Sequence, residues 1–193
     1  MFLGLVKNQK FIPTLYLKDI FEIDFKAFYD AGKRLILTDL DNTLVSYKEP
    51  DSNSKLDDLI NSLLKMGYEI IIVSNNKSNK RVKRFGDYWH IKYLNLALKP
   101  LKRGYKKALK LATRKYQKEE ILTIGDQLLT DVFSSNRMGY TTILVDAIDR
   151  KTEVFSTKIN RINEKHVLKV LKKKMPDIYK DKLARYGEKY YGI

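Results

Sequence analysis

The sequence predicts a three-layer, Rossmann-like α/β fold in which a parallel sheet of five strands lies between helices. Short aliphatic runs that end abruptly at a polar residue recur along the chain, and such runs are typical of strands covered on both faces. Helical patterns separate the runs, which favours parallel strands joined by right-handed crossovers. With 193 residues, 44% of them hydrophobic, the chain is long enough for one such domain.

Four of the apolar runs are strong strand candidates and a fifth is weaker. The strong candidates are 34–39, 69–74, 121–126 and 141–146, and the weaker one is 93–98. The strong runs are rich in β-branched and other aliphatic residues. Each ends in Asp or Ser, so we expect polar side chains at the carboxyl ends of these strands.

Apolar spacing and helix-terminating residues predict the helices between the strands. The candidates are 56–64, 77–85, the segment from Pro100 to Ala112, and 128–138. Gly67 and Gly139 follow the first and last of them, where glycine commonly ends a helix. Pro100 is suited to the first turn of a helix.

The chain is expected to divide into a domain over 1–150 and a basic tail over 151–193. Residues 1–33 contain Pro13 and scattered aromatic residues without clear periodicity, and are predicted to be an N-terminal extension. The tail is predicted to be an amphipathic helical segment that breaks at Pro176 and packs on or next to the domain. Its apolar residues are expected to form one stripe: Ile159, Ile162, Val167, Val170 and Leu171.

Composition excludes several classes of site. There are no cysteines and only two histidines, His90 and His166, which excludes disulfides, thiolate zinc sites and multi-histidine metal sites. The longest aliphatic run, 70–73, is far shorter than a membrane-spanning helix requires. The N-terminal residues 1–6 lack the basic and apolar regions of a signal peptide. A cytoplasmic location is therefore expected, with peripheral contact at the inner face of the membrane as a further expectation.

The formal net charge of +15 is concentrated in two segments. Residues 76–118 hold 15 basic residues and one acid, Asp87, and residues 151–193 hold 12 basic and five acidic residues. Such patches attract phosphate groups, nucleic acids or an acidic membrane surface. Solvated helix faces would produce the same composition, so charge alone leaves both interpretations open.

The predicted strand ends carry residues suited to phosphate chemistry, and ligands of open parallel sheets bind at that edge. The candidates are Asp39, Asp41, Thr43, Ser74, Asn75, Lys99, Asp126 and Asp131. Clustered carboxylates require a cation, and Mg²⁺ prefers oxygen ligands and leaves positions for phosphate oxygens. We therefore expect a Mg²⁺ site at which Ser74 and Lys99 hold the phosphate during phosphoryl transfer.

Asp39 and Asp41 lie two residues apart and point the same way in extended backbone. One carboxylate can attack phosphorus while the other handles protons. The sequence offers no Ser–His or Cys–His pair, so an aspartyl-phosphate is the predicted covalent route.

Four motifs in order resemble those of the haloacid dehalogenase (HAD) phosphatase superfamily. They are Asp39-Leu-Asp-Asn-Thr-Leu44, Ser74 after its aliphatic run, Lys99 before Pro100, and Gly125-Asp-Gln-Leu-Leu-Thr-Asp131. Together they cover about residues 34–146. With Arg81-Val-Lys-Arg-Phe85 and the basic tail, they are most similar to the YqeG-like, subclass IIIA proteins, which resemble phosphatidylglycerophosphate phosphatases.

This resemblance implies a HAD-like fold and assigns roles to the acids. Asp39 is the implied nucleophile and Asp41 the implied general acid and base. Mg²⁺ is implied to be held by Asp39, the backbone carbonyl of Asp41, and Asp126. Asp131 is implied to belong to the same metal site, where it binds the ion directly, contacts a water bound to the ion, or pairs with Lys99.

The expected phosphate-binding residues are Thr43, Ser74, Asn75 and Lys99, although Thr43 and Asn75 also suit a role in fixing loop geometry. Only 32 residues separate Asp41 from Ser74, and 24 separate Ser74 from Lys99. These intervals leave no room for a large cap domain, so the site is expected to be open. An open site favours a phosphate carried by a lipid surface, a nucleic acid or a protein.

Three functions remain open at this point. The first is hydrolysis of a lipid phosphate such as phosphatidylglycerophosphate, with the basic segments contacting an anionic membrane. The second is hydrolysis of nucleotide or nucleic-acid phosphates. The third is binding of RNA or a ribonucleoprotein by a protein with a residual HAD site. The intact acids favour an enzyme, and the sequence does not define an oligomeric state.

Overall fold

A six-stranded, fully parallel sheet forms the centre of the molecule in the computed structural model, which describes residues 8–193. The strands are β1 (Leu15–Leu17), β2 (Leu35–Thr38), β3 (Glu69–Val73), β4 (Lys92–Leu94), β5 (Ile121–Gly125) and β6 (Thr141–Val145). Their spatial order is β1-β6-β5-β2-β3-β4. The predicted α/β fold with a parallel sheet is confirmed.

Eight α-helices accompany the sheet in the described residues. They are α1 (Phe25–Asp30), α2 (Ser54–Met66), α3 (Asn79–Tyr88), α4 (Lys102–Leu111), α5 (Phe133–Met138), α6 (Phe155–Lys174), α7 (Pro176–Lys182) and α8 (Ala184–Tyr191). A π-helical turn, Leu128–Val132, leads into α5. The segment between β2 and β3 contains α2, and the segment between β3 and β4 contains α3.

The prediction of five strands was wrong, because the segment 1–33 supplies a sixth. Strand β1 pairs in parallel with β6, with Leu15 opposite Ile143 and Leu17 opposite Val145. It has only three residues, all half-buried, at the edge of the sheet. It therefore lacks the long aliphatic run that marks the interior strands. Residues 1–7 of this segment, including the stretch considered as a signal peptide, lie outside the described residues.

Alternate residues of the central strands point to opposite faces of the sheet, and both faces are buried. Ile36, Ile70 and Ile72 pack with the helices α2 and α3 on one face. Leu35 and Leu37 pack with α4 on the other. This burial on both faces explains why the interior strands are continuously apolar in sequence.

Helix α2 shows how local sequence sets the limits of an element. The side chain of Asn53 accepts a hydrogen bond from the Leu56 N–H at the start of the helix. Gly67 ends it with a φ of 101°, in the left-handed region that glycine adopts without steric cost. The chain then enters β3 at Glu69.

The tail forms α6, α7 and α8, and the single apolar stripe predicted for it was wrong. Val167 and Leu171 are buried in a cluster with residues of α5, α7 and α8. Ile159 and Ile162 are exposed instead, because the 3.6-residue period places them on the opposite side of the same helix. Among residues 8–193, no helix is both long enough and apolar enough to cross a lipid bilayer.

Candidate active site

The candidate site lies where the order of the strands reverses. From β2 the chain continues to β3 and β4 on one side, whereas β5 and β6 lie on the other side. The connection after β2 leads to β3, and the connection after the neighbouring β5 leads away from it to β6. Two connections that diverge in this way open a crevice at the carboxyl ends of the strands, where ligands of doubly wound sheets bind. The predicted site residues follow β2, β3, β4 and β5 at this edge.

Three buried carboxylates meet at the floor of the crevice. Asp39 follows β2, Asp126 follows β5, and Asp131 lies in the π-helical turn; one oxygen from each lies within 4.8 Å of the others. Gly125 makes this approach possible, because a Cβ at that position would lie 2.3 Å from the Asp131 Cγ. The glycine of the fourth motif is therefore required by close packing against an acid of the same motif.

Lys99 binds two of these carboxylates. Its Nζ donates hydrogen bonds to Asp39 Oδ1 at 2.8 Å and to Asp131 Oδ1 at 2.7 Å, and its side chain is almost fully buried. Burial lowers the pKa of the lysine, but the two carboxylates outweigh it and the net pKa is raised. Lys99 is therefore held charged between the two acids.

The charge balance of the buried site fits an added divalent cation. Among the described residues, the buried carboxylates around the site are Asp39, Asp126, Asp131, Glu153 and Glu164. The buried cations are Lys99 and Arg161, with half-buried Arg150 at 4.0 Å from Glu164. A site made of hard oxygen donors with excess negative charge matches Mg²⁺.

Burial, with a smaller contribution from neighbouring acids, raises the pKa values of two aspartates in the site. Burial raises the pKa of Asp39 to about 8, against the charge of Lys99 and with a further contribution from Asp131 and Asp126. Burial raises the pKa of Asp126 to about 6, against the charge of Arg161. A cation beside these carboxylates would favour their ionised forms and so lower both pKa values.

Asp41 lies at the wall of the crevice rather than in the carboxylate cluster. Its Oδ1 accepts a hydrogen bond from Arg81 Nε at 2.7 Å, and its Oδ2 accepts one from Asn76 Nδ2 at 2.8 Å. Arg81 is fixed in turn by the backbone carbonyls of Ser46 and Glu49. Hydrogen-bond donors on the loop after β3 and on α3 thus orient the side chain of Asp41, which is not one of the three clustered carboxylates.

The remaining predicted residues divide between the crevice wall and the layer beneath it. Ser74 lines the crevice, and its Oγ accepts from the Asn76 N–H at 3.0 Å, which leaves the hydroxyl proton for another acceptor. Asn75 also lines the crevice, and its side chain accepts a hydrogen bond from the Lys99 N–H and donates one to the Lys99 carbonyl. Thr43 donates to Asp126 Oδ1 at 3.4 Å and does not line the crevice. These hydrogen bonds connect Asn75 and Thr43 to other site residues, and their expected contact with phosphate stays a prediction.

Sequence reasoning missed Arg161, which projects from α6 into the site. Its guanidinium binds the Asp126 carboxylate, donates to the Asp126 carbonyl at 2.8 Å, and donates to Glu153 Oε1 at 2.6 Å. It also donates to Glu164 and to the Tyr186 hydroxyl, both at 3.2 Å. In sequence it is one basic residue of an amphipathic helix, and no local pattern distinguishes it from its neighbours.

The crevice has a volume of about 700 Å³ and two walls from distant parts of the chain. One wall comes from the loops after β2, β3 and β4, with Asp39, Asp41 and Lys99. The other comes from the start of the tail, from Glu153 to Asn160. The tail therefore contributes both a wall of the cleft and the arginine behind Asp126.

The sheet topology and the aspartate site, together with the sequence matches, define a phosphatase of the HAD type, a phosphoric monoester hydrolase. The particular family is shown by sequence comparison. The model of the mitochondrial PGP phosphatases matches residues 2–149, and the chain belongs to that family. Helices α6, α7 and α8 lie beyond the matched residues.

Curated proteins and solved structures that are similar to this chain include the following three. A protein of Bacillus subtilis (strain 168), described as "Probable phosphatase YqeG", is 37% identical over 164 residues, which cover 85% of this chain and 93% of that one. A solved Listeria monocytogenes serotype 4b protein has 16% identity and a TM-score of 0.48, covering 64% of this chain and 88% of its own. The HAD-hydrolase YfnB of Bacillus subtilis, solved with magnesium, has 16% identity and a TM-score of 0.45, with coverage of 64% and 91%. The expected YqeG-like membership is confirmed by the Bacillus subtilis relative.

Proposed function

We propose that the protein is a Mg²⁺-dependent phosphomonoesterase that uses an aspartyl-phosphate on Asp39 and acts on a lipid phosphate, with phosphatidylglycerophosphate as the leading substrate. One observation carries the proposal. Asp39 lines the open crevice, and its carboxylate also belongs to the buried cluster with Asp126 and Asp131. A single side chain thus faces both the space for a substrate and the candidate metal site.

The residues that would hold Mg²⁺ are Asp39, Asp126 and the backbone carbonyl of Asp41, with Asp131 beside them. When bound, the ion would neutralise negative charge on the transferring phosphate oxygens. Lys99 supplies a second positive charge at Asp39, and Ser74 offers a hydroxyl donor at the crevice wall. We propose that these two residues bind the phosphate oxygens that the metal would leave free.

The proposed reaction has two steps at Asp39. In the first, an Asp39 oxygen forms a bond to phosphorus, the bond from phosphorus to the alcohol oxygen breaks, and Asp41 donates a proton to that oxygen. In the second, water attacks phosphorus, Asp41 accepts a proton from the water, and the Asp39 carboxylate is released with inorganic phosphate. The hydrogen bonds from Arg81 and Asn76 hold Asp41 in one orientation for both transfers.

A lipid phosphate is the substrate class that the observations favour. The crevice is open, with no inserted domain between β2 and β4 to enclose a small metabolite. The family that the chain matches is described by its PGP phosphatase activity. The charge of +15 favours a substrate displayed on an anionic surface. We accordingly propose a cytoplasmic location with peripheral contact at the inner face of the membrane.

A phosphate-release assay over a panel of substrates tests this function. The panel contains phosphatidylglycerophosphate, nucleotides, sugar phosphates and oligonucleotides with terminal phosphates, each with and without Mg²⁺. We expect phosphatidylglycerophosphate to give the highest kcat/KM and release to stop when Mg²⁺ is chelated. A higher kcat/KM for a nucleotide or oligonucleotide would overturn the lipid assignment, and release that survives chelation would overturn the metal requirement.

Stabilisation of the fold by Mg²⁺ is expected to increase between about pH 5 and pH 8. The pKa values of about 8 for Asp39 and about 6 for Asp126 exceed the ordinary aspartate value. The folded chain therefore retains protons that the unfolded chain releases, and without metal these groups make the fold less stable as pH rises through this window. Mg²⁺ binding requires the ionised carboxylates and so displaces those protons.

The measurement is thermal unfolding at about pH 5 and pH 8 with MgCl₂, against KCl at equal ionic strength. The rise in Tm caused by Mg²⁺ should be larger at the higher pH. An equal or smaller rise at the higher pH would contradict the assignment of Asp39 and Asp126 as ligands.

A further inference from the structure

The outward face of α6 carries an apolar stripe with no partner in the described chain. Phe155, Ile159 and Ile162 recur at i, i+4 and i+7, and Phe155 and Ile162 are 78% and 72% exposed. The buried face of the helix, with Leu168 and Leu171, lies on the opposite side. The helix is therefore apolar on two sides, only one of which packs on the domain.

The exposed charged side chains of α6 itself are all lysines. Residues 154–175 contain a single acid, Glu164, and it is fully buried. The exposed lysines of the same stretch are Lys158, Lys165, Lys169, Lys172, Lys173 and Lys174. An exposed apolar stripe bordered by lysines matches an anionic interface into which aliphatic side chains insert.

The stripe lies beside the mouth of the crevice. Phe155 lines the crevice together with Asp39 and Lys99, and Arg161 of the same helix bonds Asp126 at its floor. Eight of the twelve large apolar side chains that the described residues expose lie at this carboxyl edge or on α6: Leu96, Leu98, Leu101, Ile148, Val154, Phe155, Ile159 and Ile162. Exposed apolar surface is thus concentrated around the site.

We infer that the outward face of α6 inserts into the interface of an anionic lipid bilayer and so presents the crevice to phosphate groups on lipids. The substrate part of this inference rests on the proposed function; the docking part rests on the stripe and its lysines. A nucleic acid would pair with the lysines, but it offers no apolar medium for Ile159 and Ile162. A bilayer supplies both an anionic surface and a hydrocarbon interior.

The test is co-sedimentation of the full chain with vesicles of phosphatidylcholine containing phosphatidylglycerol, and with vesicles of phosphatidylcholine alone. We expect binding to the mixed vesicles that weakens as salt is raised. The double variant Ile159→Ser/Ile162→Ser should bind them at least about tenfold more weakly, because both side chains would lose their burial in the interface. Neither residue lines the crevice, so hydrolysis of a soluble aryl phosphate should be unchanged.

The matched control is Tyr88→Ser/Leu111→Ser. Tyr88 and Leu111 are the exposed last residues of α3 and α4, at the edge of the sheet opposite the crevice. Their replacement should leave vesicle binding unchanged. Equal binding by wild type and Ile159→Ser/Ile162→Ser would overturn insertion of α6. Wild-type binding to an RNA oligonucleotide but not to the mixed vesicles would assign the basic surface to nucleic acid and overturn the inference.

The failure of docking and the failure of the proposed function are distinguishable in the same preparations. Absence of vesicle binding by the wild type with intact aryl phosphate hydrolysis counts against docking alone. Vesicle binding without any hydrolysis counts against the phosphatase mechanism alone. If both hold, the α6 variant should lose activity on vesicle-embedded lipid phosphate while it retains activity on the soluble substrate.

Discussion

Replacement of Asp39 by Asn is expected to lower kcat/KM for Mg²⁺-dependent hydrolysis of p-nitrophenyl phosphate by more than about a thousand-fold. The amide cannot form the proposed acyl phosphate, and it removes one of the carboxylates proposed to hold Mg²⁺. The stability of the fold should not decrease. Asp39 is a buried carboxylate whose ionisation burial disfavours, so a neutral isostere should unfold at the same or a higher temperature in the absence of Mg²⁺.

The control for this variant is Asp58→Asn, an exposed acid on α2. It makes the same chemical change away from the crevice and should retain full activity. Activity of Asp39→Asn within a few-fold of the control would show that another group attacks phosphorus. A large fall in Tm for Asp39→Asn would mean that the loss of activity reports unfolding, and the assignment would then have no support from this variant.

Replacement of Arg161 by Met is expected to destabilise the fold by about 3–5 kcal/mol, the range for removal of one partner from a buried ion pair. Met keeps the volume of the side chain but leaves Asp126, Glu153 and Glu164 without their shared cation. Urea unfolding should show a lower midpoint with an unchanged slope. Phosphatase activity should fall as well, because the guanidinium fixes the orientation of the Asp126 carboxylate.

Arg103→Met is the matched comparison, since Arg103 is an exposed arginine on α4. Its loss should change the free energy of unfolding by less than about 0.5 kcal/mol. Saturating Mg²⁺ should recover part of the stability of Arg161→Met, because the ion supplies positive charge at Asp126. If Arg161→Met and Arg103→Met unfold alike, the guanidinium contributes no net stabilisation and its contacts with the acids are energetically neutral.

The interior strands and the acids at their ends were accessible to sequence reasoning for a physical reason. Strands buried on both faces must be continuously apolar, so β2, β3, β5 and β6 lie within one residue of their predicted limits at each end. A polar residue directly after such a run can therefore be recognised in the sequence as the carboxyl end of a strand. Asp39, Ser74 and Asp126 therefore mark the functional edge of the sheet in the amino-acid sequence itself.

What sequence reasoning missed depends on contacts between distant residues. Strand β1 is short and half-buried, and only its pairing with β6 identifies it. Arg161 lies 35 residues after Asp126, and only the packing of α6 against the π-helical turn brings the two together. The apolar spacing of α6 indicates a helix, but it does not show which of two apolar sides meets the domain.

The placement of Arg161 has a consequence for the order in which the protein is completed during synthesis. Asp39 is made early, whereas the arginine and Tyr186 behind the Asp126 carboxylate are made well after it, and β1 can pair only after β6 has been made. Chains fold from the N-terminus as they are made. The carboxylate cluster therefore has Lys99 but lacks Arg161 until α6 has been made, and a working phosphatase is expected only after that helix has packed on the domain.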